Sequence, residues 1–229
     1  MGYWRILYTI ALLCVQVSGQ SVISTHSGLI HFSEGLVFID DQPLAPSYGR
    51  FSEISENSVL RTEQGKAEVL LTPGVFLRIG ENSAIRMISV DLSDTQVEFL
   101  KGSAILQSKD IPLPDNSVVL IYKGCKIRLP KQGVYRLDSE PPRLKAYNGD
   151  SEVTLDSKTV VVNERSLISF PDGVVTERFT TETDALDRWA SKRSRATSAA
   201  LTAGTSSGSK KNGGPRGHPS TPVLPRRTW

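Results

Sequence analysis

The residues of this chain that could carry catalysis or bind a metal do not form a recognisable set. The histidines are His26, His31 and His218, and no cysteine or histidine cluster has the spacing of metal ligands. His26 and His31 are five residues apart, so on one strand their side chains would point to opposite faces. The chain also lacks a P-loop and a dinucleotide-binding fingerprint. We therefore predict no catalytic, cofactor-binding or metal-binding residues, no cofactor and no enzymatic activity.

Two short motifs resemble fragments of functional sites. The sequence GTSSG at 204–208 matches the G-x-S-x-G nucleophile elbow, which works only at a tight turn from a strand into a helix. Here it lies in a Gly- and Ser-rich stretch, where the pattern arises by chance. The acidic pair Asp40 and Asp41 lies in a predicted turn and is either a weak cation site or a solvated loop, and the solvated loop is favoured.

The two cysteines of the chain are Cys14 and Cys125. If the N-terminal segment is removed, Cys125 is left alone and no internal disulfide can form. Lys123 and Lys126 flank it and could lower its pKa, but no histidine or carboxylate lies nearby in sequence to act as a partner. We interpret Cys125 as a structural residue.

The first 19 residues have the pattern of a secretory signal. Arg5 precedes an apolar run over 6–15, and Val17 and Gly19 occupy the −3 and −1 positions of a cleavage site. The apolar run is shorter than the roughly 20 residues that a spanning helix needs. We predict a cleaved signal peptide over 1–19 and a periplasmic or secreted protein that is not an integral membrane protein. An uncleaved anchor or a buried strand is the alternative.

The charge of the chain is unevenly distributed. Residues 190–229 contain eight Lys and Arg and no acidic residue, whereas residues 20–189 contain 18 basic and 24 acidic residues. The body is therefore acidic, which argues against nucleic-acid binding by the folded part. A basic tail would associate with anionic envelope polymers or with the acidic body in a salt-dependent way.

Residues 20–180 are predicted to form an all-β domain. Val75, Leu77 and Ile79 alternate with residues of the opposite face, and short apolar segments are separated by turn residues every 8–12 positions. Turns are predicted at 72–74, where Pro and Gly occur together, and at 148–149, where Asn precedes Gly. The short strands are expected to stack as a β-solenoid-like structure or as a β-sandwich, with a possible seam near 110–116.

The C-terminal part is predicted to contain one helix and a tail. Over 181–200, Leu186, Trp189 and Ala190 recur at helical spacing, and Thr181 with Asp184 resembles a capping box. Residues 201–229 are rich in Gly, Ser, Pro, Lys and Arg and have few large apolar residues. Such a segment cannot offset its ordering entropy, so we predict a disordered basic tail.

One long motif resembles a known family. The stretch from Arg61 to Ser83 and the sequence VEFLKGSA at 97–104 are similar to the FecR domain, the periplasmic sensing and signal-transducing domain named after the ferric-citrate regulator. The residues that match the first part of the family pattern are Arg61, Gly65, Ala67, Val69, Leu77, Asn82 and Ser83. A weaker similarity extends from about residue 31 to residue 170.

This resemblance implies an exported, mostly β domain that works by protein contacts and has no enzymatic activity. Sensing members of the family carry an anti-sigma segment and a membrane span before this domain. Only the predicted signal peptide precedes it here, so we expect a stand-alone exported form. The matching residues are also residues that a fold requires: Gly65, Gly74 and Gly102 suit turns, and Val69, Leu77 and Phe99 suit a core.

Two functions follow from these observations as hypotheses. The first is an exported FecR-like, non-enzymatic binding and sensing module that contacts another envelope protein. The alternative is a structural cell-envelope protein that self-assembles and contacts anionic polymer through its basic tail. The two differ in whether the body recognises a foreign partner or further copies of itself.

Overall fold

The computed structural model describes residues 26–45, 51–109, 118–129, 132–170, 175–176, 179 and 183–206. The predicted signal peptide (1–19), the seam at 110–116 and the tail beyond residue 206 lie outside the described residues. The chain divides into two compact units, Met1–Phe179 and Thr180–Trp229. The two units are described separately below.

The described part of the first unit consists mainly of strands, which confirms the all-β prediction. They are β1 (Leu29–Ile39), β2 (Gln42–Pro43), β3 (Ser52–Glu53), β4 (Val59–Thr72), β5 (Val75–Ile79), β6 (Ala84–Ser89), β7 (Thr95–Lys101), β8 (Ser103–Ser108), β9 (Val118–Tyr122), β10 (Cys125–Arg128), β11 (Gly133–Ser139), β12 (Pro142–Asn148), β13 (Ser151–Leu155), β14 (Lys158–Val162), β15 (Leu167–Ser169) and β16 (Val175–Thr176).

These strands form one hydrogen-bonded network. The order along it is β14-β13-β10-β9-β7-β6-β4-β5-β8-β11-β12-β15-β16, and β1 lies against β4 with β2 and β3 at its ends. Neighbours are antiparallel except for β7 and β9, which are parallel. Strand β8 lies between them in the chain but joins the other part of the network, beside β5 and β11. Pairings between strands that are distant in the chain, such as β1 with β4 and β5 with β8, therefore join the hairpins of consecutive strands into one network.

A row of buried residues crosses five neighbouring strands and marks the core face. Val69, Leu77, Leu106, Tyr135 and Ala146 are paired in register from β4 to β12 and are at most 1% exposed. Burial of each large apolar side chain contributes about 1.5–3 kcal/mol. The Tyr135 hydroxyl donates a hydrogen bond to the carbonyl of residue 150 at 2.7 Å, and burial raises the pKa of Tyr135 to about 12.

The glycines of the predicted turns at 72–74 and 148–149 have positive φ values, whereas Gly65 does not lie in a turn. Gly74 and Gly149 have φ values of +84° and +79°, which glycine adopts without steric cost. Gly65, in contrast, lies inside β4 opposite Gly35 of β1, so its assignment to a turn was wrong. A Cβ at Gly65 would lie 2.6 Å from the backbone nitrogen of Leu36. Glycine is required here because two backbones approach closely, at a shift in the β1–β4 register.

The second unit contains helix α1, Ala185–Ser206. It begins four residues after the predicted start at 181, and a capping box is formed by Asp184 and Asp187; Thr181 lies outside the described residues. The backbone nitrogen of Asp187 donates to Asp184 Oδ1 at 3.0 Å, and that of Asp184 donates to Asp187 Oδ2 at 3.1 Å. The helix continues past residue 200 to Ser206, six residues beyond the predicted end. Among the described residues, no helix is long and apolar enough to cross a membrane.

Candidate functional site

The structure separates the two histidines that it describes. His26 is exposed and precedes β1, whereas His31 lies in β1 with its Nδ1 atom 2.7 Å from Oε1 of Glu68. Within the described ranges, no three His, Cys, Asp or Glu side chains are grouped closely enough to hold a metal ion. His31 is instead part of a buried polar cluster on the sheet, described below.

The acidic pair at the β1–β2 turn is used to hold that turn. Asp40 and Asp41 have φ values of +47° and +64°, the backbone of a tight hairpin. Asp40 Oδ1 accepts a hydrogen bond from the backbone nitrogen of Val59 at 2.8 Å, and Asp41 Oδ1 accepts one from Arg61 Nε at 2.8 Å. Hydrogen bonds from Ser58 and from that backbone nitrogen lower the pKa of Asp40. Both carboxylates are thus hydrogen-bonded to the first residues of β4.

Cys125 is the first residue of β10 and is buried in the hydrophobic core. Burial, with a smaller contribution from the charge of Asp156, raises the pKa of its thiol. The flanking lysines therefore do not activate it, because desolvation of the thiolate dominates. This environment supports the structural interpretation of Cys125.

We predict that Cys125 in the folded chain reacts slowly with a soluble disulfide reagent such as DTNB. A raised pKa reduces the thiolate fraction at pH 8, and burial blocks access, so labelling should be roughly tenfold or more slower than in denaturant. The measurement uses a Cys14→Ser variant, so that Cys125 is the remaining thiol. Equal labelling rates in the folded and unfolded chain would contradict the structural interpretation.

The residues of the FecR-like motif converge on a hydrogen-bonded junction of strands. The backbone nitrogen of Ser83 donates to Thr62 Oγ1 at 3.0 Å, and the backbone nitrogen of Thr62 donates to the carbonyl of Ser83 at 2.8 Å. Ser83 Oγ accepts a hydrogen bond from the backbone nitrogen of Ser103 at 3.0 Å. Thr62 and Ser83 are buried. The junction connects β4 and the β5–β6 turn to the start of β8, which supports a structural role for the motif.

The glycines and apolar residues of the motif support the same role. Gly102 has a φ of +91° and lies so close to Ser83 that a Cβ there would be 2.2 Å from Ser83 Oγ. Val69, Leu77 and Phe99 are buried in the core, as predicted. The described residues of the motif therefore position strands.

Sequence reasoning missed a fully buried ion pair on the face of β4 and β5 opposite the core row. Glu68 Oε2 lies 2.7 Å from Arg78 Nε, and both side chains are at most 1% exposed. Arg78 Nη1 donates to Gln107 Oε1 at 2.7 Å, and Glu68 Oε1 contacts His31 as described above. These four side chains form a continuous polar row across β1, β4, β5 and β8, which we call the ionic row.

Aromatic rings pack against two members of the ionic row, His31 and Arg78. The His31 ring stacks on Phe51 with centroids 5.9 Å apart and meets the edge of Phe76 at 5.8 Å. Lys109 Nζ lies 5.8 Å from the Phe76 centroid, and burial together with the charge of Arg78 lowers the pKa of Lys109. The sequence feature that could have predicted this ion pair is a Glu and an Arg inside apolar strands. Charged residues are rarely buried unless they are paired, so two of opposite sign in such strands indicate a buried pair.

The sheet also presents an open edge at β14, and the middle of β1 (31–36) pairs with β4 alone among the described strands. Among the described strands of five or more residues, β14 is the one with a single neighbour, because it pairs with β13 alone. The β13–β14 turn consists of two residues, between Leu155 and Lys158. Val161 in β14 is 51% exposed, although it is a large β-branched residue. The other terminal strands, β2, β3 and β16, have two residues each.

Comparison with known proteins gives few matches. No protein-family profile matches the chain, and no curated protein matches it. Similar solved structures include two crystal structures, at 1.65 and 2.50 Å, of a protein from Parabacteroides distasonis ATCC 8503 that is provisionally described as an anti-sigma factor. They have TM-scores of 0.41 and identities of 12% and 13%, and the alignments cover 52% of this chain and 58% of theirs. The chain therefore spans somewhat more than half the length of these structures.

Proposed function

We propose that this chain is an exported, FecR-like, non-enzymatic binding and sensing module that works through contacts with proteins of the cell envelope. The observation that carries the proposal is the open edge of β14. An extended strand of a partner can add to such an edge, with main-chain hydrogen bonds providing affinity and side-chain contacts providing selectivity.

The edge of β14 lacks the features by which sheets commonly avoid association. Exposed edges are usually shortened, or protected by proline, bulges or charges. β14 has five residues in regular register with β13, contains no proline and has one charge, Lys158, at its start. Three consecutive valines follow, and Val161 is exposed. Retention of such an edge is what a strand-binding module needs.

The other parts of the proposal have separate support. The FecR-like motif residues build the strand junction at Thr62 and Ser83, so the resemblance extends to residues that shape this fold. Export is supported by the N-terminal pattern of a basic residue, an apolar run and small residues. The basic residues after position 190 are proposed to add a salt-dependent contact with anionic envelope polymer.

We expect a cross-linked pull-down of the tagged full chain from its own envelope to enrich a protein partner whose capture depends on Val161. A Val161→Pro variant removes one outward backbone donor from the edge, and capture should fall about tenfold, the loss expected for roughly one hydrogen bond in an interface. N-terminal sequencing of the bait should give a mature end near Gln20.

The matched control is Leu36→Lys, which changes another exposed apolar side chain, also 51% exposed, on β1. Capture by this variant should equal that of the unmodified chain. Capture that is unaffected by Val161→Pro would contradict the use of this edge. A retained Met1 would contradict export, and saturable turnover of any substrate by the purified chain would contradict a non-enzymatic role.

A further inference from the structure

We propose that one face of helix α1 is a binding site for a linear polymer that carries phosphate groups. The inference rests on the proposed function, because it assigns the salt-dependent contact with anionic envelope polymer to a defined site. The site lies entirely in the second unit and is an open groove on the helix surface. We call it the basic groove, and it is lined by Thr183, Asp187, Arg188, Ser191, Lys192 and Arg195.

The helical period places three cations side by side in this groove. Arg188, Lys192 and Arg195 are spaced i, i+4 and i+7, so they lie on one face of α1. With a rise of 1.5 Å per residue, they span about 10 Å along the helix axis. All three are exposed, and they lie on the opposite side of the helix from the buried residues Leu186 and Ala190. The cations are therefore accessible to a ligand.

The positive charge of the groove is not balanced within its own helix. Lys192 lies one turn from both Arg188 and Arg195, and like charges at these spacings destabilise a helix. Asp187 is the acidic residue of the lining, and its carboxylate is engaged in the capping box. Beyond Asp187 the chain contains no Asp or Glu, and within the described part of the chain Lys192 and Arg195 form no ion pair. An anion that bridges the three cations would remove their mutual repulsion.

The hydrogen-bond donors of the groove favour phosphate over carboxylate. Arg188 Nη1 donates to the carbonyl of Thr183 at 3.0 Å, which orients the guanidinium. Guanidinium, ammonium and hydroxyl groups all line the groove, the hydroxyls being those of Thr183 and Ser191. A phosphate group presents up to three strong acceptor oxygens, whereas a carboxylate has two oxygens in one plane. A phosphate can therefore accept hydrogen bonds from more of these donors at once.

The shape and lining of the groove favour a polymer over a small ligand or a bilayer. The groove holds about 270 Å³, which is less than the roughly 300–1,000 Å³ of a pocket that encloses a drug-sized ligand. A helix that lies on a bilayer inserts apolar residues from the face that meets the lipid, but the lining contains no apolar residue. A linear polyanion can follow the line of three cations along the helix, and we infer this occupant.

Fluorescence anisotropy of labelled inorganic polyphosphate, titrated with the full chain, tests the inference. Arg188→Gln, Lys192→Gln and Arg195→Gln should each weaken binding about fivefold, and the triple variant about a hundredfold. Between about 50 and 200 mM salt, the triple variant should also reduce the slope of log Kd against log salt by about 2, since each lost phosphate contact removes roughly 0.7. Glutamine is a good helix former, so circular dichroism should show an unchanged helix content.

Two further variants show whether the groove itself binds. The matched control is Lys210→Gln/Lys211→Gln/Arg216→Gln, which removes three positive charges outside the groove and should weaken binding less than the triple groove variant. The conservative variant Arg188→Lys/Arg195→Lys keeps the charge but loses the planar donor fork of arginine. Its affinity should lie between that of the unmodified chain and that of the triple groove variant.

Several outcomes would overturn the inference. Equal losses in the triple groove variant and its control would mean that binding depends on net charge and not on the groove. Binding of polyglutamate as tightly as polyphosphate overturns the assignment to phosphate. Association with anionic phospholipid vesicles without binding of polyphosphate overturns the assignment to a polymer. A chain that does not bind polyphosphate at about 50 mM salt overturns the inference as a whole.

The outcome is also distinguishable from that of the proposed function. Capture of an envelope protein depends on Val161, whereas Val161→Pro should bind polyphosphate like the unmodified chain. Groove-dependent binding of polyphosphate by a chain that captures no envelope protein supports the inference and overturns the proposed function. Capture through Val161 by a chain that does not bind polyphosphate overturns the inference and leaves the contact at β14 standing.

Discussion

Replacing Glu68 with alanine should destabilise the fold by about 3–5 kcal/mol, because it leaves the Arg78 charge buried without its carboxylate partner. Single domains are typically stable by about 5–15 kcal/mol, so this one change would remove a large fraction of the total. The measurement is equilibrium urea unfolding followed by circular dichroism. If Glu68→Ala does not fold, the milder Glu68→Gln variant should fold with a lower urea midpoint.

Two further variants show whether the loss comes from the buried charge. Glu98 pairs with Arg86 at 2.8 Å, and these side chains are 33% and 41% exposed, so Glu98→Ala should cost about 0–1 kcal/mol. The double variant Glu68→Leu/Arg78→Met removes both charges and should recover much of the stability lost in Glu68→Ala, because apolar residues can replace a buried ion pair at little cost. Equal losses in Glu68→Ala and Glu98→Ala would contradict this account.

Gly102→Ala should destabilise the fold by about 2–5 kcal/mol, because strain and steric overlap add at this position. The φ of Gly102 is +91°, and a Cβ there would lie 2.2–2.6 Å from atoms of Ser83. Ser83 cannot move away easily, since it is hydrogen-bonded to Thr62 and Ser103 in the strand junction. Urea unfolding of the variant measures the loss.

Gly124→Ala separates the two contributions. Gly124 also has a positive φ, +78°, but a Cβ there would meet only Leu155 Cδ1, at 4.0 Å. Its replacement should therefore cost the backbone strain alone, about 1–2 kcal/mol. If both alanine variants lose the same stability, overlap with Ser83 contributes nothing and the close contact at the junction is unimportant.

The strands and several turns of this protein could be predicted from local sequence. Alternation of apolar residues every second position depends only on the geometry of an extended chain, so Val69, Leu77 and Phe99 were assigned to the core from sequence and are buried there. The positive φ at Gly74 follows from the requirements of a tight turn. Such features are decided within a few residues.

Features that depend on two distant segments were not predictable in this way. Gly65 reads as a turn residue, but its role is to let β4 approach β1 at Gly35, 30 positions earlier in the chain. The sequence pattern predicts a helix start at 181, four residues before the observed start at Ala185, because Thr181 and Asp184 have the same capping spacing as Asp184 and Asp187. Only the folded backbone selects between two such matches.

The ionic row depends on the register between β4 and β5, which the local sequence does not predict. Counting back from the turn at 73–74 without interruption would place Glu68 opposite Ile79, on the wrong face for Arg78. A register shift between Leu70 and Thr72 moves the pairing by one residue, so that Glu68 lies opposite Arg78. A slip of one residue exchanges the faces of a strand. The all-β class and core residues such as Val69, Leu77 and Phe99 follow from the local sequence, because a period of two depends only on the geometry of an extended chain. The tertiary structure decided which charges meet and which edge stays open, because bulges and pairings between distant strands minimise the free energy of the whole sheet.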